Sequence, residues 1–370
     1  MLTHEPDDRL MRIGVIGAGQ LGQMLGYAAA ELGFECRFVD PSDSPPAASA
    51  GTVVKKPFDD AAALDELAAE CDVLTYEFEN VPVAALQAVA EHVPVYPPPA
   101  ALAIAQDRLL EKQLFTELDI ALPAYRRIDS RQDLADAASA LGVPLVVKTR
   151  RFGYDGKGQI VLRSKNQVDA VWDELGSEPL IAEAFVPFDY EVSVIAARSR
   201  DGEIVIWPLA ENEHVDGILR LSRAPHIDSG LSDRANAYVT RMLQHLDYVG
   251  VLALELFVEG DALLANEFAP RVHNSGHWTI EGAATSQFAN HLLAVAGKPL
   301  GSTATPAYAA MINLIGTMPV SLEATSDDRV TLHDYGKSAR PGRKLGHITL
   351  VAETAAERDR LSAEILKSVT

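Results

Sequence analysis

The sequence predicts a multi-domain α/β protein. Three observations carry that reading: a strand–helix–strand opening at residues 12–40, a lysine-bearing apolar strand that runs into a glycine-rich loop at residues 145–162, and a shorter strand-rich tail from about Gly301. At 370 residues the chain is too long for one ordinary core, so two or three domains are expected.

The opening reads as a strand from Arg12 to Gly17, a helix from Gly22 to Leu32 and a strand from Glu35 to Asp40. Further strands are expected at Val53–Val54, Asp72–Tyr76 and Val93–Tyr96, with an Ala/Leu-rich helix at Ala61–Ala69. Together they predict a parallel sheet that ends at the prolines Pro97 to Pro99. Ala101–Glu117 is expected to be helical, Pro123–Ile128 extended and Arg131–Leu141 helical before the lysine strand. Beyond it, strands are expected at Leu180–Phe185, Glu191–Ala197, Val205–Leu209 and Gly250–Val258, and helices at Arg234–Leu246 and Gln287–Ala296.

Composition narrows the function classes. A formal charge of −20 opposes nonspecific attraction to nucleic acid or an anionic membrane, so an anionic ligand needs a dedicated pocket. No stretch approaches the apolar length that spans a bilayer. The two cysteines, Cys36 and Cys71, lack metal-ligand spacing and are expected to be internal reduced thiols. The first ten residues do not read as a secretion signal, which makes a cytoplasmic location the default expectation.

The most informative stretch is Leu145 to Leu162. Lys148 follows Leu145, Val146 and Val147, and desolvating an unpaired ammonium is costly, so it is expected to have an anionic partner. Gly153, Gly156 and Gly158 let successive backbone N–H groups approach phosphate oxygens, with Lys157 as a mobile charge. The alternative is a surface hairpin whose glycines only make a turn. Gly17, Gly19 and Gly22 satisfy a dinucleotide fingerprint, with Asp40 ending the next strand, but a glycine-rich helix start specifies only that some anion, or a close packing contact, is accommodated.

Two carboxylates come next. Glu255 and Glu267 lie in apolar runs separated by Gly260 and Asp261, which reads as a β-hairpin. If both project from one face they can share one or two Mg²⁺ ions; the alternative is that each pairs with a basic side chain. Arg271, His273, Asn274 and His277 crowd around Gly276 in a way suited to a small polar anion. Glu183, Phe185, Val186 and Glu191 form a segment able to meet a purine edge and ribose hydroxyls, or two exposed glutamates flanking a turn. Lys337, Arg340, Arg343 and Lys344 concentrate charge around a Pro341–Gly342 turn, which suits a phosphate monoester or a solvated basic turn.

Taken in order, these segments, together with Tyr76 to Pro82 and Gln106 to Arg108, resemble the ATP-grasp superfamily and within it the N5-carboxyaminoimidazole ribonucleotide synthetase family, over nearly the whole chain. The resemblance implies an ATP-grasp fold: an N-terminal Rossmann-like parallel-sheet domain over 11–105, an ATP-grasp domain over 106–300 and a small C-terminal strand-rich domain over 301–370. It implies an ATP-dependent ligase of purine biosynthesis that carboxylates 5-aminoimidazole ribonucleotide with bicarbonate through carboxyphosphate, as a homodimer, with ATP and Mg²⁺ and without nucleic-acid or membrane partners. Arg108, Lys148, Gly153, Tyr154, Asp155, Gly156, Lys157, Gly158, Gln159, Glu183, Phe185, Val186, Glu191, His214, Asn266 and Glu267 are implied to hold ATP, and Glu255 and Glu267 the metal. Gln20, Leu21, Glu77, Tyr154, Asp155, Lys337, Arg343 and Lys344 are implied to hold the ribonucleotide, and Arg271, His273, Asn274 and Lys337 to line the bicarbonate side. The chain departs from the expected pattern at Val272, where a proline is expected, at Ala269, where many ATP-grasp enzymes carry an asparagine, and in the polar extension before Met11. Two other readings remain: an NAD-dependent dehydrogenase, resting on the N-terminal glycines and Asp40, and a non-catalytic nucleotide-binding regulator.

Overall fold

A computed structural model describes residues 9–153, 158–319 and 327–369. The opening folds as expected. Strands β1 (Arg12–Ile16), β2 (Glu35–Val39), β3 (Thr52–Val54) and β4 (Val73–Tyr76) form a parallel sheet in the order β3-β2-β1-β4. β1 and β4 are almost wholly buried, as strands covered on both faces must be, and Val15, Ile13 and Phe38 anchor the interior. The segment around Val93–Tyr96 makes a single parallel bridge, Leu74 to Val95, rather than a strand, because Pro94 and Pro97 remove the donors that a ladder needs.

The helix expected from Ala101 to Glu117 is two helices, Pro99–Ala105 and Arg108–Glu117. Asp107 breaks it: extended there, it caps the second helix by accepting from the Leu109 N–H at 3.0 Å and binds Arg150 through Nε at 2.9 Å. A separate antiparallel sheet of four strands follows, in the order β5-β8-β6-β7, from β5 (Tyr125–Ile128), β6 (Leu145–Thr149), β7 (Gln159–Leu162) and β8 (Leu180–Ala184). Helices Arg131–Ala140 and Val168–Leu175 cover one face of it through Leu134, Ala137, Val168 and Val171.

The remaining strands build one sheet of nine. β9 (Tyr190–Arg198), β10 (Ile204–Ile206), β11 (Ala210–Val215), β12 (Ile218–Ala224), β13 (Gly250–Glu259), β14 (Ala262–Ala269), β15 (Tyr308–Ile315), β16 (Val330–Asp334) and β17 (Lys344–Ala352) run in the order β14-β13-β9-β11-β12-β15-β17-β16, with β10 on the far part of β9. β10 is shorter than the expected Val205–Leu209 strand, and the β11–β12 hairpin and the closing helix Ala355–Val369 are additions to the expected list. The tail is bonded directly to the middle of the chain: Leu221 to Ala224 pair with Ala309 to Ile312.

Helix Ser229–His245 packs on this sheet through Leu231, Ala235, Val239 and Met242. The N-terminal unit joins through helix Gln20–Glu31, whose Met24, Leu25 and Ala28 share an apolar cluster with Phe288, Leu292 and Val295 of helix Gln287–Val295. His291 seals that seam, with Nε2 2.8 Å from Thr75 Oγ1 on β4 and Nδ1 accepting from Val251 N–H at 3.1 Å. Among the described residues no helix is long and apolar enough to cross a membrane.

Candidate active site

Registered pairs on neighbouring strands share a face, so the ladders place Glu267, Glu255, Ser193, Asn212, Ser222, Asn313, His347 and His333 along one side of the large sheet. The segment after β14 lies along that polar row. His273 Nε2 sits 3.1 Å from Glu255 Oε1, Ser193 Oγ donates to Ser275 Oγ at 2.8 Å, and the His277 and His347 rings lie 4.8 Å apart. Gly276 makes the close approach possible, since a Cβ there would fall 2.4 Å from the Ile195 side chain.

Between this row and the small sheet lies a cleft of about 480 Å³. Its lining includes Arg108, Lys148, Gly153, Gln159 and Phe185; Glu191, His214, Glu255, Asn266 and Glu267 of the large sheet; Arg271, His273 and Asn274 after it; and Gln20, Leu21 and Lys344. Sequence reasoning assigned every one of these to ligand binding. Tyr154, Asp155, Gly156 and Lys157 lie outside the described residues.

Lys148 has the anionic partner that its strand context demands. Its Nζ donates to Glu183 Oε2 at 2.9 Å, and Lys112, fully buried, sits 3.7 Å from the same oxygen while donating to the Asn266 carbonyl. Burial pushes the Glu183 carboxyl up, but Lys112 and Lys148 outweigh it and hold it at about 2. Glu183 is 3% exposed and serves as the counter-ion of both lysines through Oε2, while its Oε1 has no hydrogen-bond partner among the described residues. Val186 is half-buried and does not line the cleft, while its neighbours Phe185 and Phe188 do. Glu191 carries His214, with Nδ1 at 2.5 Å.

The two strand carboxylates are opposite each other in register on β13 and β14. Burial, and then the charge of Glu267, push the Glu255 carboxyl up to about 8. Glu267 is partly exposed at the cleft, and Arg108, donating from Nη1 at 2.7 Å, with Lys148 and Lys112 beyond it, outweighs desolvation and pulls its carboxyl down to about 2. No group of three or more His, Cys, Asp or Glu among the described residues is arranged to hold a metal. Two hard carboxylates beside a cleft are nevertheless the donor set that Mg²⁺ takes when substrate phosphates complete its shell, so the residues fit that ion.

The glycine turn after β1 does not wait for a pyrophosphate. Glu77, at the end of β4, places Oε1 2.7 Å from the Gly19 N–H that donates to it, and a Cβ on Gly17, whose φ is +103°, would meet that same oxygen at 2.8 Å. Asp40 accepts from the Ala18 N–H at 2.9 Å and from the Ser42 N–H at 2.8 Å, so it is spent on the turn rather than held out for a ribose. The turn's anion is the protein's own carboxylate, which removes the physical basis of the dehydrogenase reading.

Lys337 donates to Gln20 Oε1, joining the tail to the first helix of the chain, and burial followed by the charge of Arg343 lowers its ammonium to about 8. Arg343 donates to the Ser338 carbonyl at 3.1 Å and hydroxyl at 2.9 Å. Neither Lys337 nor Arg343 lines the main cleft; both border its Gln20 end through that contact and Lys344. Arg271 is held by Glu79, Nη2 to Oε1 at 2.5 Å.

A lysine strand facing paired strand carboxylates across a cleft between a small and a large antiparallel sheet defines an ATP-grasp enzyme, and the description "ATP-grasp domain" matches residues 113–288. Flanking it, "Ribonucleotide synthetase preATP-grasp domain" matches 10–106 and "Phosphoribosylaminoimidazole carboxylase C-terminal domain" matches 309–360. The chain belongs to the N5-carboxyaminoimidazole ribonucleotide synthase family of ATP-grasp ligases: it is 50% identical over 357 residues to the synthase of that name from Pseudomonas aeruginosa, covering 96% of this chain and 98% of that one. The crystal structure of the N5-carboxyaminoimidazole ribonucleotide synthetase from Thermus thermophilus superposes with a TM-score of 0.93 at 48% identity, over 97% of this chain and 98% of that one. That of the Aspergillus clavatus synthase, in complex with ADP and 5-aminoimidazole ribonucleotide, gives 0.89 at 30% identity, over 97% and 98%.

Four contributors escaped the sequence reading. Glu111 and Lys112 sit three and four positions after Arg108 on one helix face, a spacing that was available. Asn313 is a polar residue in an otherwise apolar strand and Ser193 a polar one inside the apolar run of residues 192–197, the signal that singles out Lys148.

Proposed function

We propose that this ligase uses ATP to carboxylate 5-aminoimidazole ribonucleotide with bicarbonate, giving N5-carboxyaminoimidazole ribonucleotide, ADP and phosphate in purine biosynthesis. The observation that carries it is the meeting, in one cleft, of a lysine and carboxylate grip with the Arg271–Asn274 segment and the Gln20–Lys344 end. The ribonucleotide and ADP in the Aspergillus clavatus relative support the same pair of ligands here.

Bicarbonate is a poor electrophile, since its leaving group would be hydroxide. An oxygen of bicarbonate attacks the γ-phosphorus, the bond to the bridging oxygen of ADP breaks, and carboxyphosphate forms. The exocyclic amine then bonds to the carboxyl carbon, the carbon–oxygen bond to phosphate breaks, and the amine gives up a proton. Arg108 and Lys148 offset charge on the nucleotide side, and Arg271 and Asn274 hold the bicarbonate. Gln20, Lys337, Arg343 and Lys344 take the ribose phosphate, and Glu77 faces the ring. Glu255 and Glu267 would hold Mg²⁺, which when bound offsets charge on the transferring phosphoryl group. A cytoplasmic homodimer is part of the same proposal, carried by the family resemblance and testable by sedimentation.

The test measures ADP release from Mg·ATP and 5-aminoimidazole ribonucleotide, with and without bicarbonate, while following labelled carbon into product. One carbon fixed per ADP, and only with bicarbonate, is the expected result. ATP binding without such turnover would favour a regulator and overturn the proposal.

A further inference from the structure

We propose that Asn212, Ser193 and Ser275 are positioning residues that hold His273 as an Nε2–H donor aimed at Glu255. None of the three lines the cleft, and all are buried. A chain of hydrogen bonds links them: Ser222 Oγ to Asn212 Oδ1 at 2.7 Å, Asn212 Nδ2 to Ser193 Oγ at 3.0 Å, Ser193 Oγ to Ser275 Oγ at 2.8 Å, and Ser275 Oγ to His273 Nδ1 at 2.9 Å.

The direction of the chain follows from its one fixed donor near the imidazole. The backbone N–H of Ser275 points at His273 Nδ1 at 3.3 Å, and a backbone N–H cannot accept, so Nδ1 carries the lone pair. The Ser275 hydroxyl therefore donates to Nδ1 and accepts from Ser193, which in turn accepts from the Asn212 amide, whose carbonyl takes the Ser222 hydroxyl. Each hydroxyl then donates in a single sense toward the imidazole, and Nδ1 accepts from both the Ser275 hydroxyl and the Ser275 N–H. The ring proton is left on Nε2, 3.1 Å from Glu255 Oε1. With the opposite tautomer Nε2 would present a lone pair to Glu255 and would have no proton to donate to it. The relay thus fixes which oxygen of Glu255 is engaged, in the manner of outer-shell groups that orient a ligand. That last consequence rests on the carboxylation reading; the tautomer does not.

The test is ¹⁵N NMR of ligand-free protein labelled at histidine, with His273 assigned by its loss in His273→Gln. The expected wild-type signature is an unprotonated Nδ1 and a protonated Nε2. Asn212→Asp keeps the shape but replaces the amide donor by an acceptor, so the hydroxyl chain reverses against the fixed Ser275 N–H, and the Nδ1-protonated tautomer is expected to become populated beside the wild-type one. Ser193→Ala cuts the chain and is expected to populate both tautomers. In the folded variants the Mg²⁺ concentration for half-maximal turnover should rise on the order of 10–100-fold. A wild-type proton on Nδ1, or folded variants that keep the wild-type signature, would overturn the proposal. If Asn212→Asp does not fold, Ser193→Ala decides alone. Because the tautomer is read without substrate, loss of the carboxylation reading would leave this result intact.

Discussion

Asn274 and Asn313 pair amide to amide: Asn313 Nδ2 donates to Asn274 Oδ1 at 2.7 Å, and Asn274 Nδ2 donates back to Asn313 Oδ1 at 3.1 Å. Asn313 is wholly buried on β15 and also donates to the Leu219 carbonyl at 2.8 Å. A residue from the tail of the chain thus sets the orientation of one that lines the cleft. Asn313→Leu should strand the Asn274 amide and the Leu219 carbonyl, lowering stability by about 1–3 kcal/mol. It should also lower kcat/KM with little change in the ATP KM. Urea unfolding and steady-state kinetics check both.

Glu183→Gln leaves Lys148 and Lys112 buried without their counter-charge. Breaking a buried ion pair on one side costs about 3–5 kcal/mol, and the ATP KM should rise with it. The pH dependence has a definite sign. The Glu183 carboxyl is depressed to about 2 when folded, so its contribution is present above its ordinary value of 4.5 and is lost as pH falls from there through 2. Acid unfolding of the wild type should be steeper across that window than that of Glu183→Gln.

Lys337 titrates at about 8, below its ordinary 10.5. Between those values the unfolded chain binds more protons at this residue, so its contribution to stability rises with pH there, while attraction for a phosphate monoester falls. The expected result is a decline in kcat/KM for the ribonucleotide above pH 8 that Lys337→Arg flattens, measured at saturating ATP.

Glu267→Gln removes a charge that both Arg108 and the proposed Mg²⁺ use. Turnover should vanish while the protein stays folded, seen by circular dichroism beside the assay. Normal turnover in that variant with Mg²⁺ would sink the metal assignment.

Burial pushes the Cys36 and Cys71 thiols up to about 12, and neither forms a disulfide. A chromogenic disulfide reagent should therefore react slowly with the native protein at pH 8 and react with both thiols after denaturation.

Much of this was legible in the sequence where one residue violates its surroundings. Lys148 in an apolar strand demands a partner, and Glu255 and Glu267 in apolar strands on either side of a turn demand a shared face; the ladder places them opposite each other. What a strand pattern does not carry is which carboxylate answers which cation. Glu183 goes to the lysines and Glu77 to a glycine turn because of sheet order, which is settled by long-range pairing. The break at Asp107 was hidden for a related reason, since its cap and its arginine come from different parts of the chain.

The ladder from Leu221–Ala224 to Ala309–Ile312 has a mechanical consequence. The tail cannot swing away from the Arg271–Asn274 segment without tearing backbone hydrogen bonds, so that wall of the cleft is an anvil. Among the described residues the four-stranded antiparallel sheet shares no ladder with the nine-stranded one, and its ties include replaceable side-chain contacts such as Arg150 to Asp107. It is the jaw, and a label at Phe152, which is exposed and lines the cleft, should change its environment when nucleotide is added. A ligase built this way can shift its lysine strand without disturbing the wall that carries Glu255 and Glu267.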